Sequence, residues 1–227
     1  VYQIRQSFRD TVPWTSAEPD DPDATNLVQI HYLSLGYSHA LHRTLLAGAV
    51  LEGVYATGPQ DNPYRRIDGA LNESHPHLRR RLATTGYLRW AVLKAKMVVE
   101  PRYRFYHDDW GITAHAIDPR VHFRITKHLR LRLRYRFYHQ SAAYFWVPMD
   151  ERPYPADAVL LSADPKMSEF LSHTPGAQLV VHLDGLAKYK RFKWLRGAFI
   201  EATYNHVFQT NRFGNARLGN LTFSVPF

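Results

Sequence analysis

Between Leu129 and His139 apolar and cationic residues alternate without a break. Leu129, Leu131, Leu133, Tyr135 and Phe137 take the odd positions, and Arg130, Arg132, Arg134, Arg136 and Tyr138 the even ones. A helix would scatter those arginines around its circumference, whereas a strand sends them all to one face. The same pattern occurs earlier, with Met97, Val99, Tyr103 and Phe105 set against Glu100, Arg102, Arg104 and Tyr106. The hexapeptide RYRFYH appears in both stretches, at Arg102–His107 and Arg134–His139. Between the copies Val121, Phe123 and Ile125 alternate with His122 and Arg124, while the residues before Asp118 and Pro119 run in the other phase, which predicts a bulge there. Two copies pointing the same way with one reversed strand between them form an up-and-down meander.

The alternation extends along the chain. Leu88, Trp90 and Val92 oppose Arg89; Leu179, Val181 and Leu183 oppose Gln178, His182 and Asp184; Ile200, Ala202 and Tyr204 oppose Glu201, Thr203 and Asn205. The last segment alternates Leu221, Phe223, Val225 and Phe227. With strands near Tyr2–Phe8, Asn26–Ser38 and Leu45–Ala56 the count is about ten. Each strand and its turn occupy about 16 residues, longer than the usual ~5–6-residue soluble strand. One rim carries a short turn at Lys127 and His128, and the other long polar loops near 9–25, 57–82 and 146–176. Long strands with this asymmetry predict a single domain over residues 1–227, an all-β, antiparallel up-and-down transmembrane β-barrel. Pro101 and Pro226 fall inside predicted strands, where each removes a ladder hydrogen bond.

Composition narrows the choice. No apolar run approaches the ~18 residues of a membrane-spanning helix, and mean hydropathy is −0.39. Cysteine is absent, which excludes disulfide scaffolds and thiolate metal sites. The chain opens at Val1 with neither an initiator Met nor a signal-like segment, so a targeting segment has been removed or the N-terminus is incomplete. Net charge is +9, which calls for an anionic partner, and 14% of residues are aromatic, which suits strands or a membrane interface.

In a closed barrel the apolar face meets lipid and the arginines line the interior. An arginine facing lipid at mid-bilayer would cost about 2–4 kcal/mol, and the strict alternation avoids this. Arg102, Arg104, Arg124, Arg130, Arg132, Arg134 and Arg136 are therefore expected in the lumen, with Glu100, Asp184 and Glu201 as partners. Trp90, Tyr103, Phe105, Tyr135, Phe137, Phe223 and Phe227 are expected toward lipid, and Trp110 at the interface. A positive lumen reads as an anion path or as an interior filled by paired side chains, since about ten strands make a narrow barrel. Nucleic acid is disfavoured, because the aromatics and arginines fall on opposite faces.

Other chemistry is thin. The turn YHDDW at Tyr106–Trp110 gathers His107, Asp108 and Asp109, as an activated-water hydrolase would, but Asp is also a turn former. His75 and His77 lack further ligands at metal spacing and read as solvated loop residues. Neither a phosphate-cradling Gly loop nor a Ser-nucleophile motif occurs. No catalytic residue, metal or cofactor is expected.

NPYRRID at Asn62–Asp68, HLRRRLATTGYLRW at His77–Trp90, YRFYHDDWGITAH at Tyr103–His115 and RYRFYHQSAAYFW at Arg134–Trp146 resemble a family of bacterial outer-membrane barrels known only as a domain of unknown function. The resemblance implies a barrel integral to a Gram-negative outer membrane and brings no activity. The terminal Phe resembles the signal read by barrel-insertion machinery. The function expected is non-enzymatic: a structural or assembly component touching outer-membrane lipid and lipopolysaccharide and docking envelope or extracellular proteins through its loops. The alternatives are a small anion-favouring channel and a rim hydrolase.

Overall fold

The computed structural model describes residues 2–8, 28–61, 66–67, 71–148 and 159–226. The 9–25 loop and Phe227 lie outside the described residues. In chain order the strands are β1 (Tyr2–Phe8), β2 (Gln29–His42), β3 (Leu45–Thr57), β4 (Arg66–Ile67), β5 (Leu71–Asn72), β6 (Leu78–Val92), β7 (Met97–Glu100), β8 (Arg102–Asp108), β9 (Thr113–Ile117), β10 (Arg120–Arg124), β11 (Leu129–Gln140), β12 (Phe170–His182), β13 (Phe199–Gln209) and β14 (Ala216–Ser224). All but β4 and β5 belong to one antiparallel sheet. In it β8 continues β7 and β9 leads into β10, so the ladder runs through ten positions in meander order.

The break at Pro101 and the break at Asp118–Pro119 are not bulges. Arg120 pairs with Glu100, and Ile117 pairs with Tyr103, in one unbroken register. That register sets Pro101 opposite Pro119 and Arg102 opposite Asp118. Each proline keeps its carbonyl in the ladder, accepting from Leu88 N–H (3.2 Å) and Tyr135 N–H (3.2 Å). Only the reciprocal N–H is missing. The apparent change of phase arose because Ala114 and Ala116 are small and point inward. They face Tyr106, Gln140, Arg104 and Tyr138 across the ladders, so small residues make room for large ones. Pro226 follows the end of β14, while Pro175, read as a loop residue, sits within β12 opposite Tyr135.

The two rims differ as expected. On one, β2–β3, β6–β7 and β10–β11 are joined by very short connections; Thr126 Oγ1 fixes the last by accepting from His128 and Leu129 N–H (3.1 and 3.0 Å). The exception is 183–198, two 3₁₀ turns whose exposed Tyr189 and Trp194 continue the apolar face, Trp194 packing edge-on against Phe223 at 6.5 Å. On the other rim the long connections are 58–77 and 141–169; β6 begins at Leu78 and β12 at Phe170, so both strands reach further into the predicted loops than the pattern indicated.

These two loops fold onto each other. Ser74 and Leu161 exchange backbone hydrogen bonds of 2.9 Å each way, and Trp146 bridges Ser162. Among the described residues two buried apolar clusters hold this rim, one of Trp110 and Ile112 with Ala143 and Phe145 of the 141–169 loop, the other of Ile67 with Leu161 and Ala163.

Candidate functional site

The even positions of β8, β10 and β11 and the odd positions of β6 share one face, because cross-strand partners in a ladder point the same way. It is the inward face, since Arg104 of β8 reaches past β6 to pair with Glu52 of β3. Asp118 accepts from two arginines: Arg134 Nε and Nη2 (2.8 and 2.9 Å) and Arg120 Nη2 (2.7 Å). Glu100 accepts from Arg89 Nε at 2.7 Å and ion-pairs with Arg102, whose Nε lies 2.7 Å from its other oxygen. Tyr32 Oη donates to Glu52 at 2.8 Å.

Expected partners and observed partners overlap only in part. Glu100 pairs as expected. Glu201 faces inward but accepts from Gln178 Nε2 and Thr203 Oγ1 instead of an arginine. Asp184 is not in the interior: β12 ends at His182, and Asp184 lies exposed in the following 3₁₀ turn, accepting Gly197 N–H at 2.7 Å. Asp118, Glu52, Asp108, Arg79, Arg81 and Arg120 belong to the interior and escaped the reading. Asp108 and Asp118 share the even phase of the neighbouring arginines, so extending the alternation across the prolines would have found them.

Arg81, Arg124, Arg130, Arg132 and Arg136 face inward with no carboxylate within ion-pair distance among the described residues. Arg81 Nε is buried without a hydrogen-bond partner, and the Arg136 guanidinium lies over the Tyr138 ring, 5.0 Å from its centre. Two cavities open among these groups. One of about 400 Å³ lies toward the short-turn rim beside Arg89, His122, Arg124, Arg130 and Arg132. The other, about 390 Å³, lies under the loops beside Arg79, Arg104, Tyr106, Arg136 and Tyr138.

The YHDDW turn is structural in its contacts. Asp108, 1% exposed, accepts from Arg79 Nε and Nη2 (3.0 and 2.5 Å), Tyr106 Oη (2.6 Å) and Ile112 N–H (3.0 Å). Asp109 accepts Arg80 N–H at 3.0 Å, and His107 Nδ1 sits 2.9 Å from Thr113 Oγ1. Trp110 is not an interface residue. It is 2% exposed, donates Nε1–H to Leu78 O at 3.0 Å, and carries the Arg79 guanidinium 3.9 Å over its ring. A Trp beside a rim turn reads as an anchor from residue type alone, but here the 141–169 loop folds over it.

His75 likewise departs from expectation. It is buried against Trp110 and Phe145, its Nδ1 3.0 Å from Gln60 O and its Nε2 3.7 Å from Glu73. His77 is exposed. Glu73 Oε1 accepts from Ser162 Oγ (3.2 Å) and Ala163 N–H (3.1 Å), tying the two loops together. No group of three or more metal-ligating side chains gathers among the described residues.

On the outer face Trp90, Tyr103, Tyr135 and Phe223 are exposed, with Phe105 and Phe137 beside them. The repeated hexapeptide does one job twice there. Tyr103 Oη lies 2.7 Å from His115 Nδ1 with Phe105 against the same ring, and Tyr135 Oη lies 2.5 Å from His173 Nδ1 with Phe137 against it. Each copy satisfies a histidine that would otherwise meet the apolar surroundings bare.

The chain belongs to the family described as "Protein of unknown function (DUF3570)", whose model matches residues 3–208. No curated protein matches it. Among solved structures it is similar to outer-membrane-expressed OmpT of Vibrio cholerae, at 12% identity and TM-score 0.51 over 82% of this chain and 47% of that one. The in-vitro folded, trimeric form of the same protein gives 11% identity and TM-score 0.52 over 90% and 54%. Acinetobacter baumannii OccAB3 matches at 12% identity and TM-score 0.47 over 87% and 48%. The chain thus spans about half the length of these barrels. At such identities the likeness shows the fold alone: an all-β, antiparallel up-and-down barrel of the outer-membrane kind.

Proposed function

We propose that the protein is a non-enzymatic barrel integral to a Gram-negative outer membrane, and that its interior favours anions. One observation carries this reading: among the described residues, Arg81, Arg124, Arg130, Arg132 and Arg136 face the interior with no carboxylate within ion-pair distance, the inward carboxylates being engaged elsewhere. Fixed charge of one sign between low-dielectric walls focuses field and concentrates counter-ions. Reconstitution in planar bilayers across a potassium chloride gradient tests it. A reversal potential on the chloride side is expected; cation-selective current, or none, overturns it.

A structural or assembly role is the second reading, favoured by the Glu73-tethered loops that cover the interior from the long-loop rim. A stoichiometric protein partner recovered after gentle solubilisation, together with silent bilayers, selects it. Contacts with lipopolysaccharide and with the insertion machinery belong to either reading. Hydrolysis at the rim loses support because Asp108 spends its oxygens on Arg79, Tyr106 and Ile112.

A further inference from the structure

The inward face holds two cross-strand pairs of arginines directly opposite one another, and only one is neutralised. Arg120 opposes Arg134, and Arg124 opposes Arg130. Like charges set directly opposite in a ladder repel. At the first pair the chain supplies the remedy itself, Asp118 receiving both guanidiniums at 2.7–2.9 Å. At the second pair no carboxylate among the described residues comes within ion-pair distance, and the adjacent row adds Arg132 opposite His122. The nearest acids are engaged elsewhere: Glu100 with Arg89 and Arg102, and Glu201 with Gln178. These rows border the cavity of about 400 Å³ at the short-turn rim.

From this contrast we infer that Arg124, Arg130 and Arg132 form a binding site for a small organic anion carrying more than one carboxylate. The ligand's first carboxylate takes the place between Arg124 and Arg130 that Asp118 takes between Arg120 and Arg134. Guanidinium groups favour this because two parallel N–H donors match the two oxygens of a carboxylate. A second carboxylate faces Arg132, and the cavity falls within the ~300–1,000 Å³ of small-molecule sites. On β12 the inward side chain opposite Arg130 is the uncharged Val180, and Glu100, the carboxylate that lines the cavity, is held by Arg89 and Arg102.

The inference deepens the anion-favouring reading and rests on it only for the sign of the ligand. Its test is binding to the detergent-solubilised, folded protein, where no current flows. Citrate, followed by calorimetry at fixed ionic strength, is expected to bind, with chloride failing to substitute. Arg124→Gln combined with Arg130→Gln is expected to weaken citrate at least tenfold, while Arg217→Gln, on an exposed outward position of β14, leaves it unchanged. Val180→Asp sets a carboxylate opposite Arg130 and, on its other side, opposite Glu201, so the new attraction and repulsion offset each other in the ladder; it is expected to abolish citrate binding with the midpoint of thermal unfolding unchanged, which a misfolded variant cannot imitate. Citrate bound equally well by the double variant, or displaced by chloride, overturns the site. Binding without bilayer current sinks the passage and leaves the site standing; anion-selective current without citrate binding does the reverse.

Discussion

Asp108 shows how far a residue's role departs from its type. In sequence it is half of an Asp-Asp turn beside a histidine, a pattern shared by turn formers and by hydrolases. In the fold it is the counter-ion of Arg79, with Tyr106 and the Ile112 amide completing its shell. Asp108→Asn leaves the guanidinium uncompensated against Trp110, and breaking a buried pair in this way costs about 3–5 kcal/mol. Equilibrium unfolding of the reconstituted barrel is expected to show that loss, whereas exposed Asp109→Asn stays within about 0.5 kcal/mol. A stable Asp108→Asn protein that had lost a hydrolytic activity would reverse the assignment. The arginines of the repeated hexapeptide were legible because period-two patterning is local. Their partners were less so: Glu52 and Arg104 are brought together only by the order of β3, β6 and β8, and Asp184 failed because β12 stops two residues before it.

At the scale of elements, strand phase was legible and strand interruption was misread. Prolines 101 and 119 lie opposite each other and spare the register, since each deletes one N–H and keeps its carbonyl bonded. A break in hydrogen bonding and a shift in phase look alike in a sequence when the inward residues on one side are alanines. The loops were legible only as loops. Their mutual folding depends on Glu73, a carboxylate 89 residues from Ser162 in the chain. Glu73→Ala is expected to leave the Ala163 amide and the Ser162 hydroxyl without their acceptor, at a cost of about 1–3 kcal/mol confined to the loops. Limited proteolysis of the folded barrel should then cut within 141–169 faster than in the parent, with the strands unaffected. Equal cutting rates would mean that the Ser74–Leu161 bridge and the apolar clusters hold the loops without Glu73.

For the whole molecule the question is which solvent the apolar face meets, because alternation alone is common to a soluble sheet and a lipid-facing barrel. The structure leaves Leu33, Leu51, Leu88, Leu133, Leu179 and Leu221 exposed on that face, with Tyr103, Ile117, Ile200 and Tyr204 exposed on the strands between them, whereas contiguous apolar patches on soluble monomers rarely exceed a few hundred Å². Leu133, between Arg132 and Arg134, makes the test sharp because its neighbours carry the very group to be introduced. If the face meets lipid, Leu133→Arg costs about 2–4 kcal/mol near mid-bilayer, since the guanidinium must leave water while the ladder holds it outward. If the face meets water, the same substitution removes an exposed apolar side chain and stability changes by no more than about 0.5 kcal/mol. Unfolding by denaturant from phospholipid vesicles is expected to show the larger loss, and a neutral or solubilising effect would place the apolar face in water and remove the ground for a lumen.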